Sequence, residues 1–395
     1  MKRSSIIIFS HERRIYEHGY FIDKYVDPFI DIFKKDNNFS VIEDPLNLVH
    51  FNSFKYLHFS PVKTKKLFYS EFFIFFSRIL SKFFITSLTT SDKNVIKKLE
   101  EDFKNNFNVD IKLVNKINYY LPIYKSKLFI YKIFFKIKKP KKILLVNSAG
   151  KESLIEAAKH LHIPTYELQH GSPSRGKLNY DYSSGIKKKT FPDFFLSFGK
   201  LWSDDFILPL KKSHIVNVGF PYLNQKISNI PFFSKKENIF LIISQPNISK
   251  KLINFTVDLR KKLKKEIKIL YKPHPLEIFS NDLNYLDILK KNNIEVLKDY
   301  NSNLYKLLEK SKWVMGISST VLYEALPFKC QVFILKLSGH EKLLNLINLK
   351  LVYLVKTTNE INNLVKKRYV KKSKNLFFND NNNNIKKLFA TNNTK

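Results

Sequence analysis

One cysteine, Cys330, is present in 395 residues. No internal disulfide can form, which fits a reducing compartment. Arginine is scarce, at seven of the 69 basic residues. That weighs against a dedicated reader of nucleic acid, because base edges and phosphates are gripped best by the forked guanidinium. Acidic side chains number 34, so the formal net charge is +35. The phosphate-cradling loop GxxxxGK[ST] is missing and so is GxGxxG. Nucleoside triphosphate hydrolysis and dehydrogenase chemistry lose support accordingly. No Cys/His cluster has zinc spacing, and no GxSxG elbow is present. With no Asp-x-Asp pair either, a metal-independent site without a cofactor is expected.

Long apolar runs are lacking too. The nearest candidate, Phe72 to Leu88, contains Arg78 and Lys82. A spanning helix needs about 20 mostly apolar residues, and central cations oppose insertion. A second stretch, Lys127 to Lys142, mixes Phe, Ile and Tyr with seven lysines. Both read as helices that lie on an anionic membrane surface, or as ordinary helices packed on the core. The N-terminal Ile6-Ile7-Ile8-Phe9 is too short for a secretory signal core and reads as a first buried strand. The expected location is the cytoplasm, peripheral to the inner face of the plasma membrane.

What is abundant is Lys, Asn, Ile and Phe. A codon bias toward A and T explains this blandly. Attraction to lipid headgroups, nucleotide phosphates or acidic glycans explains it functionally. A hydrophobic fraction of 44% supplies real cores, and the length suits two domains.

In the second half, short apolar runs alternate with helical segments. The runs begin at Ile239, Lys268, Ile294, Trp313, Gln331 and Leu351, and segments such as Leu252–Lys265 lie between them. This alternation predicts a parallel sheet with helices on both faces. Runs at Ile6, Ile143, Thr165, Phe194 and Ile215 repeat the theme in the first half, around an unassigned, helix-rich stretch at 11–140. The fold class expected is α/β, with domains at 1–222 and 223–378 and an Asn/Lys-rich tail at 379–395 that should fray.

Ligands of open parallel sheets bind beyond the carboxyl ends of the strands, and four polar groups fall there. Glu167-Leu168-Gln169-His170-Gly171 places an imidazole at a strand end, with a glycine that allows a sharp turn. His170 or Glu167 is a candidate base, although strand alternation can turn Glu167 to the other side. Lys272-Pro273-His274-Pro275 holds His274 between two prolines that fix the backbone. Ser318-Ser319-Thr320 precedes a helix bearing Glu324, a potential phosphate seat with a carboxylate for a ribose diol. Ser244-Gln245-Pro246 lines the same side. The bland alternatives are a locally bonded histidine, a simple turn and ordinary N-capping.

The ordered set HG, KPHP and SS[ST] with a Glu-bearing helix resembles a group of bacterial enzymes. The group includes capsular sialyl- and polysialyltransferases, Kdo transferases and CDP-glycerol glycerophosphotransferases. The likeness spans roughly residues 143–345. It implies a GT-B fold, two Rossmann-like domains facing a central cleft, and a surface-polysaccharide glycosyltransferase. By the sialyltransferase likeness, His274 and Ser318/Ser319 bind the donor phosphate, as the serine motif and HP motif do there. By the glycerophosphotransferase likeness, His170 and His274 form the important pair. An acidic pair before glycine serves as base in sialyltransferases, and this chain has Glu167-Leu-Gln-His-Gly in its place. The expected partners are a nucleotide-sugar donor, with a CMP-linked acidic sugar favoured, and a glycan or lipid-linked acceptor of capsule, O-antigen or lipopolysaccharide. Three alternatives stand beside glycosyl transfer: a CDP-alditol phosphotransferase, a sugar-nucleotide epimerase, and a non-enzymatic binder of anionic polymers.

Overall fold

The computed structural model describes residues 4–11, 15–17, 20–34, 38–43, 67–173, 179–204, 207–229, 235–274, 277, 284–297, 303–367, 377–378 and 381–389. Two sheets organise them. The first takes β1 (Ile6–Phe9), β4 (Phe39–Glu43), β5 (Leu67–Tyr69), β6 (Lys142–Val146), β7 (Thr165–Leu168), β8 (Phe194–Ser197) and β9 (Ile215–Asn217), in the order β5-β4-β1-β6-β7-β8-β9. The second takes β10 (Glu237–Ile243), β11 (Lys268–Lys272), β12 (Glu295–Val296), β13 (Ser311–Gly316), β14 (Gln331–Leu335) and β15 (Tyr353–Val355), in the order β12-β11-β10-β13-β14-β15. Every pairing in both sheets is parallel. A small antiparallel hairpin, β2 (Ile15–Glu17) and β3 (Tyr20–Ile22), follows β1.

The composition of the strands explains this arrangement. IIIF, KILLV, ENIFLII and QVFIL are near-continuous apolar runs, as strands covered on both faces require. One buried cluster joins Ile6, Leu144 and Phe195 of the first sheet to Leu241, Val314 and Ile334 of the second. Separate clusters cover the opposite faces: Phe240, Ile242 and Tyr271 lie in one, and Ile7, Phe9 and Ile143 in the other.

Much of the stretch at 11–140 is helical. α1 (Asp27–Phe33) packs on the first sheet, and α2 (Ser70–Ser81), α3 (Thr90–Phe107) and α4 (Leu113–Lys138) form a layer that leans on helix Glu152–His160. Thr89 and Asp92 close a reciprocal capping box at the start of α3. The helix expected at Lys127–Lys142 ends at Lys138, because Lys139 turns into the left-handed region at φ 48° and β6 begins at Lys142.

The chain finally returns to its first half. Trp202 Nε1 donates to the Phe377 carbonyl at 2.7 Å, and a β-carbon at Gly199 would stand 2.3 Å from that same oxygen. Helix Asn382–Phe389 lies on α1, with Phe389 stacked on Phe33 at 5.2 Å and Asn384 Nδ2 donating to the Asn217 carbonyl at 2.8 Å. The expectation of a frayed tail is therefore corrected for residues 382–389. Ile385 and Phe389 are buried, and two buried apolar side chains outweigh the polar asparagines around them. The whole is the GT-B arrangement of two Rossmann-like domains.

Candidate functional site

The carboxyl ends of the strands carry the polar groups. In the first lobe His11 follows β1 and His170 follows β7, with β6 between those strands. Their rings stack with centroids 4.2 Å apart and planes 21° from parallel. Tyr25 meets both edge-on, at 5.6 Å from His11 and 5.4 Å from His170. Asp23 fixes this group. Its Oδ2 accepts the His11 N–H at 3.1 Å, while Oδ1 accepts the N–H groups of Tyr25 at 2.9 Å and Val26 at 3.1 Å. Gly171 takes φ 68°, and Gln169 braces the turn. The Gln169 Nε2 donates to the Gly171 carbonyl at 2.9 Å and its Oε1 accepts the Phe198 N–H at 2.8 Å.

Glu167 takes a supporting place. It is 0% exposed. Its Oε1 accepts the Ser148 N–H at 3.2 Å and the Tyr180 hydroxyl at 2.9 Å. Burial pushes the carboxyl above its ordinary range, and the bonds from Ser148 and Tyr180 pull the other way. The alternation along β7 sends this side chain inward, so it does not face an acceptor hydroxyl as a base would. The expectation of Glu167 as base is corrected on that ground.

In the second lobe three adjacent strands, β11, β10 and β13, end together. Lys272 closes β11, with Pro273 and His274 after it. A buried chain of bonds fixes the His274 backbone. Tyr271 donates its hydroxyl to Ser244 Oγ at 2.6 Å, Ser244 Oγ donates to Glu277 Oε1 at 2.9 Å, and Glu277 Oε2 accepts the His274 N–H at 2.6 Å. Beside it, Gln245 Oε1 accepts the N–H of Ser318 at 3.1 Å and its hydroxyl at 2.7 Å. The groups singled out at 244–245, 272–274 and 318 therefore share one edge of the second sheet.

Two expectations change here. The helix after Thr320 runs only from Val321 to Glu324, and Ser319 Oγ already accepts the Val321 N–H at 3.3 Å. A single turn carries little dipole, so what positions 318–320 offer is their hydroxyls on the anchored Ser318 turn, not a helix terminus. Glu324, expected to hold a ribose, is buried, with its Oε2 accepting the Tyr305 hydroxyl at 2.5 Å and Lys24 Nζ 3.6 Å from Oε1. A buried carboxylate needs such partners, and these leave it bridging the lobes. Pro275 lies outside the described residues.

One contact between the lobes starts beside the histidine pair. Lys24 reaches Glu324 of the second lobe, and its neighbour Tyr25 packs on His170. A second bridge centres on Glu17 of the hairpin. Its Oε1 accepts the Tyr222 hydroxyl at 2.6 Å and Asn303 Nδ2 at 3.1 Å, and its Oε2 pairs with Lys226 Nζ at 2.7 Å. Sequence reasoning missed His11, Asp23, Lys24 and Glu277. His11 carried a usable signal, since it follows the run Ile6–Phe9 as His170 follows Thr165–Leu168. Glu277 had a weaker one, three residues past His274.

No protein-family model matches the chain, and no curated protein matches it in sequence. Solved structures of UDP-GlcNAc 2-epimerases are similar over the whole length. The enzyme of Methanocaldococcus jannaschii is 12% identical, with 98% of this chain and 99% of that one covered, at a TM-score of 0.57. That of Neisseria meningitidis, bound to UDP-GlcNAc, is 12% identical, with 98% of each covered and a TM-score of 0.52. That of Rickettsia bellii is 12% identical, with 98% and 93% covered and a TM-score of 0.51. At such identity the likeness is one of fold: the chain shares with these structures the GT-B pairing of two Rossmann-like domains.

Proposed function

We propose that the chain is a nucleotide-sugar glycosyltransferase that builds a surface glycan. The observation that supports this reading is that each lobe gathers polar groups at the carboxyl ends of its strands. The stacked imidazoles of His11 and His170 lie on the first lobe, and the edge formed by Lys272, His274, Gln245 and Ser318 lies on the second. Lys24 and Glu324 join the two sides. In this reading the donor lies against the second lobe. Lys272, His274 and the hydroxyls of Ser318, Ser319 and Thr320 stabilise the charge that develops on the departing nucleotide phosphate. His170 takes the proton of the acceptor hydroxyl, and His11 holds its ring in place. The acceptor is a glycan or a lipid-linked sugar of capsule, O-antigen or lipopolysaccharide, and a CMP-linked acidic sugar is the favoured donor. The reaction takes place at the cytoplasmic face of the membrane. Among the described residues no helix is long and apolar enough to cross one.

A second reading has its own support. The structures that overlay this chain end to end are those of UDP-GlcNAc 2-epimerases, so epimerisation of a nucleotide sugar competes with transfer. One experiment separates them. The protein is incubated with CMP-, CDP-, UDP- and GDP-linked sugars, with and without membrane-derived glycan acceptor, and products are read by mass spectrometry. Transfer predicts sugar on the acceptor and free nucleotide in proportion. Conversion of UDP-N-acetylglucosamine to its C2 epimer without acceptor would replace this reading. Alditol phosphate retained in the polymer after incubation with a CDP-alditol would point to a phosphotransferase. Absence of any nucleotide binding would overturn all three.

A further inference from the structure

The helix α2 is seated the wrong way round for a water-facing helix. Its inward stripe is Ser70, Phe73 and Ser77, all buried. Phe73 stacks on Tyr131 at 5.1 Å, and the Ser77 carbonyl accepts the Ser126 hydroxyl at 2.7 Å. The outward residues Phe72, Phe75, Phe76, Ile79 and, just past the helix end, Phe83 recur at the spacing of one helical face. They are 64%, 60%, 39%, 44% and 78% exposed. At 100° per residue Arg78 and Lys82 fall together along one border of that apolar arc. Isolated exposed apolar side chains are ordinary, but a contiguous stripe of this size marks a contact surface.

We propose that this outward face of α2 docks on an anionic lipid surface, with the four phenylalanines and Ile79 at the acyl boundary and Arg78 and Lys82 at the headgroups. Charge selects this occupant. From 70 to 138 the chain carries thirteen Lys and Arg against six Asp and Glu, which favours anionic headgroups. A second copy docked by a two-fold axis would bring Arg78 and Lys82 of one face close to the same cations of the other, and that is unfavourable. Amphipathic helices that lie in the interface have this composition: aromatic and aliphatic residues on one arc, cations beside it. The inference does not depend on the transfer reading, since binding to lipid needs no nucleotide or sugar.

Flotation of the full chain with vesicles tests it, using phosphatidylcholine alone and phosphatidylcholine mixed with phosphatidylglycerol. Binding is expected only with phosphatidylglycerol present, and salt should weaken it. Phe72→Ser with Phe76→Ser is expected to weaken partitioning by at least about tenfold. Arg78→Gln and Lys82→Gln should each cost about fivefold. These side chains point outward, so the thermal midpoint should hold. In Phe75→Trp, with phosphatidylglycerol vesicles, tryptophan emission should shift to the blue and be quenched by brominated acyl chains. Equal binding to pure phosphatidylcholine would overturn the anionic selection. Undiminished binding by the double serine variant would overturn the face. A wild type that ignores vesicles, yet forms a dimer broken by the serine substitutions, would assign the face to a second copy.

Discussion

His11 and His170 stack almost parallel, 4.2 Å between centroids, although they leave strands separated by a third in the sheet. One comes from the first strand of the chain and the other from the far side of the long helical stretch. Tyr25 closes the group against both rings. The pair is the only group among the described residues in which two imidazoles share a strand-end position in the first lobe, and catalysis is expected to depend on both.

His170→Ala is expected to lower turnover of the nucleotide sugar by about 10²-fold or more. His11→Ala should lower it less, because in the proposed mechanism it acts through His170. If the rings work as a unit, the double variant will lose much less than the product of the single losses. Steady-state rates with the donor identified by the product screen check this. Rates near wild type in His170→Ala would remove the base from the proposal.

Gln245→Ala and Ser318→Ala are each expected to weaken nucleotide binding by about tenfold, the equivalent of about 1.4 kcal/mol. Gln245 accepts two bonds from Ser318, so Gln245→Ala removes both, whereas Ser318→Ala removes the hydroxyl bond and leaves the one from the N–H. Thermal-shift titration with CMP, CDP, UDP and GDP reads the effect, because a ligand that binds only the folded state raises the midpoint by mass action. The pair should be non-additive, since both variants remove the hydroxyl bond between Ser318 and Gln245.

Stability should depend on Glu167 in a definite direction. Burial raises its carboxyl above the ordinary range, so the folded chain holds a proton that the unfolded chain releases at about pH 4.3. The folded state therefore binds more protons in the window above that value. Stability from this group is full below the window and is lost as pH rises through the raised value. Glu167→Gln removes the titration while keeping an oxygen for Ser148 and Tyr180. The difference in thermal midpoint, variant minus wild type, should grow from acid toward neutral pH. A constant difference would contradict the assignment.

Gly199→Ala is expected to destabilise by about 2 kcal/mol or more, because a methyl group there meets backbone and not a movable side chain. Urea unfolding gives the magnitude. Limited proteolysis should also show earlier cleavage toward the C-terminus, as the seat of Phe377 loosens.

The strands were legible because parallel strands covered on both faces are written as unbroken apolar runs: Ile6–Phe9, Lys142–Val146 and Gln331–Leu335 announce themselves. Strand ends then pointed to His170, His274, Gln245 and Ser318. Partners were not legible. That Glu324 would meet Lys24, or Glu167 meet Tyr180, depends on which strands lie side by side, and the intervals in sequence do not carry that. The same limit hid the destiny of the C-terminal asparagines, whose composition describes a solvated tail while Ile385 and Phe389 find a hydrophobic berth. His11 was a different case. Its place after an apolar run was a signal of the same kind as that of His170, and the stacking of the two rings is what gives it weight.

The return of the last helix to α1 bears on how the chain is made. Phe33 is synthesised long before Phe389, which stacks on it. At translation speeds of about 5–20 residues per second, the first lobe waits tens of seconds for its final layer. During that time the faces later covered by Trp202's contact with Phe377 and by Phe389 stand open. The first lobe is thus the earlier synthesised and the later completed, and a chain stopped near residue 370 would lack both the Phe389 layer on α1 and the Phe377 contacts with Trp202 and Tyr323.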